Sequence, residues 1–249
     1  MLFSTKSLLR RRTDRSERLF TNSFKVKRVL DILCALAGLI AFTPILLLSA
    51  AAIRLGGARE IIFKQRRVGL DGKPFDILKL ATMREDAHLD GPLVSASRDP
   101  RVTRAGRIVR GFCLNELPQF VNVLRGEMSL VGPRPEVPRY VEHWPPEVKR
   151  KLLSVRPGIT GLATIHIWDE ASLLDGRKDM ERAYVDELLP RKLRVELWYV
   201  RNRTFWLDLR ILVLTLIKAL GGRRLLLRSK SGKRQRLTKM SGLPMEEEA

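Results

Sequence analysis

A chain of 249 residues has room for one sizeable domain with appendages, or at most two small ones, and an apolar content of 45% suffices for a packed core. Its 47 Lys and Arg against 27 acids leave a formal charge of +20, which calls for a polyanionic partner: nucleic acid, an anionic membrane or phosphorylated substrates. Two cysteines without a CxxC pair exclude a disulfide framework and a zinc site, and His88, His143 and His166 are too scattered to read as metal ligands.

In chain order, residues 1–28 form a basic arm with nine Lys and Arg against Asp14 and Glu17. An apolar run follows over residues 29–54, and from Ile32 to Ile53 it holds 22 residues without a charge. That length suits a membrane helix, and the run starts too far in, without a clear cleavage site, for an ordinary signal peptide. Lys25, Lys27 and Arg28 precede it while Arg54, Arg59, Lys64, Arg66 and Arg67 follow, so a plain span would violate the positive-inside rule on one flank. Pro44 removes a helix hydrogen bond, and the Thr43 hydroxyl can satisfy a freed carbonyl. A helix that enters, bends at Thr43–Pro44 and returns to the same face resolves the charge conflict; the alternative is a kinked span.

The soluble middle begins with two β-rich stretches, IIFK and PFDILKL, joined by a turn at Gly69, Asp71 and Gly72, which predicts a hairpin. Residues 83–112 suggest a helix and a long loop. The pattern predicts a helix over Leu114–Leu124, with Asn115 as N-cap, Glu116 in its first turn and Gly126 as its stop. Further helices are expected over Glu147–Leu153 and Asp179–Tyr199. Phe205–Leu220 carries Asp208, Arg210 and Lys218 and is too short and too charged for a span, so it reads as an interfacial helix anchored by Trp198, Tyr199 and Trp206. Residues 221–249 open with eight Lys and Arg and no acid over 221–240, a basic tail expected to be disordered. The fold class is α+β and helix-rich, one domain over residues 55–220 lying on the membrane.

Three stretches carry candidate chemistry. In Arg110–Gln119, a helix N-terminus offers N–H groups and positive potential to phosphate, and a carboxylate there stays ionised, so Glu116 is a candidate metal ligand or nucleophile. In Gly132-Pro133-Arg134-Pro135 and in Val155-Arg156-Pro157-Gly158, prolines stiffen turns that present arginine forks, which match phosphate oxygens. No helix-turn-helix, zinc finger or aromatic RNA platform appears, so nucleic acid is not the expected partner.

In order along the chain, FKQRRVGLDGKPFDILKL, RDPRVTRAGRIVR, LNELPQFVNVLRGEMSLVGPRPEVP, VRPGITGLA and LWYVRNRTFWLDLRILVLT resemble the bacterial sugar transferase family, the monotopic polyprenyl-phosphate phosphoglycosyltransferases that start exopolysaccharide, O-antigen and glycoprotein glycan assembly. The likeness runs from about Lys27 to Leu220. It implies a re-entrant helix broken at Thr43–Pro44 and a site at the cytoplasmic face of the bacterial inner membrane. It also implies UDP-sugar and polyprenyl (undecaprenyl) phosphate as substrates, anionic lipids as surroundings, and Mg2+ as cofactor. In that family an aspartate of an Asp-Glu pair attacks the β-phosphate and releases UMP, and polyprenyl phosphate then attacks the phosphosugar-enzyme. Arg110, Glu116, Pro133 and Arg134 fall on this machinery, and Arg156 is the further phosphate candidate. The aspartate position is Asn115 here, a poor nucleophile and a poor magnesium ligand. Either Glu116 substitutes, or polyprenyl phosphate attacks directly, or the protein is a silent scaffold. Ala81 and Thr164 also depart from the family pattern, where arginine and glutamine are usual.

Overall fold

A computed structural model describes residues 4–226, except 89, 90, 98, 168 and 169, with side chains from residue 25 to residue 219, those of residues 86 and 88 excepted. The expectation for the basic tail lies almost wholly outside the described residues, and of the N-terminal arm only residues 25–28 have described side chains. The helices are α1 (Ser4–Leu55), α2 (Arg104–Gly111), α3 (Gln119–Arg125), α4 (Pro138–Val141) and α5 (Pro146–Leu152), then α6 (Leu162–His166), α7 (Glu170–Leu173), α8 (Met180–Ala183), α9 (Leu189–Asn202) and α10 (Phe205–Leu226). Four strands complete the set: β1 (Ile62–Val68), β2 (Pro74–Leu80), β3 (Ser129–Val131) and β4 (Gly158–Thr160).

The hairpin forms as its turn residues dictate: β1 and β2 pair antiparallel from Ile62 opposite Leu80 to Val68 opposite Pro74. Asp71 at φ 56° and Gly72 at φ 76° take the left-handed conformations that close it. Asn122, fully buried on α3, binds β2: its Oδ1 accepts from the Leu78 amide at 3.0 Å and its Nδ2 donates to the Asp76 carbonyl at 2.8 Å. A second, parallel pair, β3–β4, has no counterpart in the sequence reading, because three-residue strands leave no periodicity. There the backbones meet at glycines: a Cβ on Gly158 would lie 2.1 Å from the Gly132 nitrogen and 2.4 Å from the Thr160 oxygen.

The principal core joins Phe75 and Ile77 of the hairpin, Val123 of α3, Leu130 and Val131 of β3, Val195 and Tyr199 of α9, and Ile211 of α10, with Ala35 of α1 fully buried among them. A second cluster gathers Trp144, Leu152, Tyr184 and Leu188 under α9. A third joins Ile53 near the end of α1 to Leu80 and Val109.

Residues Lys25–Leu55 are, among the described residues, the one helix long and apolar enough to cross a membrane, with a mean hydropathy of 2.4 and Leu33, Leu36, Ile40, Leu47 and Leu48 exposed. The helical run is not interrupted at Thr43–Pro44: Pro44 lies inside it. The Thr43 hydroxyl donates to the Leu39 carbonyl at 2.6 Å, one residue before the Ile40 carbonyl that Pro44 leaves without its N–H.

Two expectations are corrected. The helix foreseen over Leu114–Leu124 is a 3-10 turn over Leu114–Glu116 followed by α3, so Asn115 sits inside the turn and Pro118 is the N-cap. Pro118 has no N–H for the Leu114 carbonyl, which the Leu117 amide takes instead at 3.2 Å. Tyr199 is no interfacial anchor: it is 1% exposed, and its hydroxyl donates to Asp208 Oδ1 at 2.7 Å. Trp206 does stand out from α10, with Leu209, Val213, Leu216 and Ile217 on the same exposed face.

Candidate functional site: a cation-lined cleft

A cleft of about 1680 Å3 opens between the hairpin, the 3-10 turn, the loop before α4, and α9. It is also lined by Ala58 and Arg59, just after α1, and by Lys218 and Ala219 on α10. The 3-10 turn brings Glu116 in from one side. The strand-to-turn step after β3 brings Arg134 from another, and their side chains meet, Arg134 Nη2 donating to Glu116 Oε1 at 2.9 Å. Lys79 of β2 adds Nζ at 3.9 Å from the same oxygen. All three side chains are part-shielded, at 17% to 28% exposure. Both ion pairs reach Oε1.

The electrostatics follow from this crowding. Burial alone would raise the Glu116 carboxyl, but Arg134 and Lys79 hold it down to about 2, so it is ionised at any working pH. Burial pushes the Lys79 ammonium down to about 7 despite Glu116, and Arg134, Arg67 and Arg110 push the same way. Arg134 is raised, by Glu116 above all. Burial lowers both Arg67 and Arg110. Four cations thus converge on one carboxylate, and a polyanion entering the cleft would relieve the excess.

Arg110 is anchored by Nε on the Thr82 hydroxyl at 2.7 Å. That contact exists because α2 crosses close to Thr82 at Gly106, where a Cβ would lie 2.0 Å from the Thr82 oxygen. Asn115 lines the cleft, half-buried, and its amide makes no hydrogen bond among the described residues. Pro133 is buried, and its carbonyl accepts from the Gly158 amide at 2.9 Å, so it shapes the turn without lining the cleft. Arg156 is not brought to the site. Its Nε donates to the Gly126 carbonyl at 2.9 Å, beside Arg28, whose Nη2 takes the Val123 carbonyl at 2.7 Å; the two arginines cap the C-terminus of α3. Cys113 stands at φ 57°, and burial pushes its thiol up to about 11, so it is no reactive thiolate. Ala81 and Thr164 both line the cleft.

Sequence reasoning missed the lower wall. Glu136, Tyr184 and Lys192 are buried together: Lys192 Nζ donates to Glu136 Oε1 at 2.7 Å and to the Tyr184 hydroxyl at 2.7 Å, and Arg67 Nη1 lies 3.5 Å from Glu136 Oε2. Lys79 lies between Leu78 and Leu80, while Arg67 sits in the polar run Lys64-Gln65-Arg66-Arg67, and neither pattern by itself marks a site residue. The usable signal was GPRPEVP itself, where Glu136 is an acid between prolines.

For a magnesium ion, the donor set is one carboxylate. Magnesium keeps most of its waters and is commonly held by one or two carboxylates together with substrate phosphates, so a single carboxylate, Glu116, beside a bound diphosphate would fit that mode. Asn115 adds no charge. No group of three His, Cys, Asp or Glu able to hold a metal occurs among the described residues.

Known proteins resemble this chain over most of its length. The family described as bacterial sugar transferase matches residues 22–222. A UDP-glucose:undecaprenyl-phosphate glucose-1-phosphate transferase of Caulobacter vibrioides is 40% identical over 194 residues, 76% of this chain and 67% of that one. A protein of the same name from Escherichia coli is 36% identical over 197 residues, 78% of this chain and 40% of its own. A UDP-N-acetylgalactosamine-undecaprenyl-phosphate N-acetylgalactosaminephosphotransferase of Aeromonas hydrophila is 34% identical over 199 residues, 79% of this chain and 44% of its own. The chain therefore spans about two thirds of the first relative and about two fifths of the other two.

Proposed function

The chain belongs to the bacterial sugar transferase family, and from that premise we propose that it transfers a phosphosugar from a UDP-sugar to undecaprenyl phosphate at the cytoplasmic face of the inner membrane, the first membrane step of exopolysaccharide or related glycan synthesis. The observation that carries the reading is the Glu116–Arg134 pair in a cleft where Lys79, Arg67 and Arg110 leave positive charge in excess. The relatives' names supply the substrate class, and their differing sugars leave the sugar of this chain open to assay.

Re-entry of α1 fits the contacts on either side of Pro44. Before it, Lys27 Nζ pairs with Asp208, Arg28 caps α3, and Asp31 accepts from the Ser129 hydroxyl at 2.7 Å and the Leu130 amide at 3.1 Å. After it, Ile53 packs on Leu80 and Val109. Both limbs rest on one body, which supports putting both flanks on one side of the bilayer, where their charge favours them. The exposed face of α10 lies in the same interface, where anionic lipids favour the basic flanks.

In the mechanism, Arg134, Lys79 and Arg110 bind the diphosphate and orient its β-phosphorus. Glu116 would hold a magnesium ion, which would supply neutralisation of the diphosphate and of charge developing on the leaving group. The Asn115 amide is neutral and a far weaker nucleophile than a carboxylate. Glu116 is held down to about 2 by its cations, which weakens it as a nucleophile. The acceptor therefore attacks directly: an oxygen of undecaprenyl phosphate forms a bond to the β-phosphorus, the bond to the bridging oxygen breaks, and UMP leaves. Ala58 and Arg59, just after α1, and Lys218 on α10 line the cleft, which supports a reaction close to both helices.

The test is UMP formation in a single turnover with and without acceptor. Direct attack gives no UMP without undecaprenyl phosphate, whereas Asn115→Asp gives an acceptor-independent burst through its new carboxylate. A burst from the unmodified protein would overturn direct attack. The second reading, a silent scaffold, rests on Asn115 alone and predicts no UMP under any condition.

A further inference from the structure

The turn that presents Arg134 is held from two sides. From β1, Arg67 Nη1 donates to the Pro135 carbonyl at 2.9 Å and the Val68 amide donates to the Glu136 carbonyl at 3.0 Å. From α9, two side chains one helical turn apart reach up to it. Lys192 takes the Glu136 carboxylate, and Glu196 Oε1 accepts from the Arg134 backbone N–H at 3.1 Å. Glu196 is 4% exposed, and its Oε2 is buried without a hydrogen-bond partner among the described residues. A carboxylate so placed is costly to keep charged unless its charge is used. Its contact is the backbone of the residue whose guanidinium grips Glu116.

We propose that Glu196 is a positioning residue: its ionised carboxylate holds the Arg134 N–H and so fixes the guanidinium that binds the diphosphate. The inference rests on the cleft being a diphosphate site. Charge-assisted hydrogen bonds to backbone N–H groups are roughly twice as strong as neutral ones, so protonation slackens the turn without unfolding it. Burial raises the Glu196 carboxyl to about 7, against the Arg134 N–H and Lys192, with Glu136 pushing the same way as burial and the Arg134 guanidinium opposing it. The other group facing it is Tyr199, one turn further along α9, whose hydroxyl is committed to Asp208. A depressed grip below neutral pH and a firm one above it follow. Lys79 titrates in the same range with the opposite sign, protonated and favourable to phosphate at low pH, and this contribution cancels when two proteins sharing Lys79 are compared.

The experiment measures inorganic pyrophosphate affinity of the full-length protein and of Glu196→Gln from pH 6 to pH 8.5, together with amide hydrogen exchange of the segment containing Arg134. Glu196→Gln keeps an acceptor oxygen but no charge. At pH 8.5 it should bind pyrophosphate about tenfold more weakly than the unmodified protein, and the two should converge near pH 6. Exchange protection of the Arg134 amide should rise with pH in the unmodified protein, after correction for intrinsic rates, and stay flat in the variant. Glu196→Asp, which restores a carboxylate one methylene short, should recover the pH dependence with weaker binding, and it serves if Glu196→Gln does not fold. A constant affinity ratio at every pH, with unchanged Arg134 protection, would overturn the proposal. Failure of the unmodified protein to bind pyrophosphate, with Arg134 protection still pH-dependent, would sink the diphosphate reading and leave the Glu196 clamp standing.

Discussion

Glu116 has the highest stakes of any single side chain. Its carboxyl is held at about 2 against an ordinary 4.5, a depressed value, so its ion pairs contribute stability that is full above about 4.5 and is lost as pH falls toward about 2. Acid titration followed by tryptophan fluorescence should show this window narrowing in Glu116→Gln. Arg134→Lys should lower turnover about tenfold or more, since a lysine point charge cannot reproduce a guanidinium fork that serves Glu116 and a phosphate at once. At this scale the sequence was half legible. Arg110, Glu116 and Arg134 could be read because each stands in a rigid, proline- or glycine-marked context. Arg156 stands in the same kind of context and goes to the α3 carbonyls instead: stiff turns with arginine forks serve backbone oxygens as well as phosphate. Lys192 and Glu196, four residues apart on a helix, look like a solvated face until α9 is known to pass beneath the Arg134 turn.

Among the elements, the hairpin was fixed by Gly69, Asp71 and Gly72 and emerges in the register the turn implies. The β3–β4 pair was invisible, yet it carries the turn to the site, and its spacing depends on glycine at close backbone approach. Gly158→Ala would put a methyl 2.1 Å from the Gly132 nitrogen and 2.4 Å from the Thr160 oxygen, both backbone atoms. It should cost at least about 3 kcal/mol, the upper range for overpacking, seen as a lowered denaturation midpoint with lost activity. The start of α3 was misplaced because helix-capping preference cannot distinguish an α-helix opening at Asn115 from a 3-10 turn imposed by Pro118. Asn122, by contrast, shows why an amide sits inside NVL: it joins α3 to β2 with every polar atom of its side chain bonded, including Nδ2 to Glu127 Oε2 at 2.7 Å.

For the whole molecule, charge and apolarity act together. The exposed apolar faces of α1 and α10 and the basic flanks of α1 are what the proposed seating on one leaflet rests on, and Ala58, Arg59, Lys218 and Ala219, next to or on those helices, line the cleft. Re-entry predicts that reporter fusions placed ahead of Lys25 and after residue 226 both report the cytoplasm, and a periplasmic N-terminal reporter would show a span instead. The most direct test of the central claim is UMP release from a panel of UDP-sugars by the full-length protein with undecaprenyl phosphate and magnesium, run beside Glu116→Gln and Asn115→Asp. The account predicts release by the unmodified protein with at least one sugar, dependent on the acceptor and abolished in Glu116→Gln. Silence of the unmodified protein across the panel, with activity restored in Asn115→Asp, would contradict it and show an intact site that has lost its nucleophile.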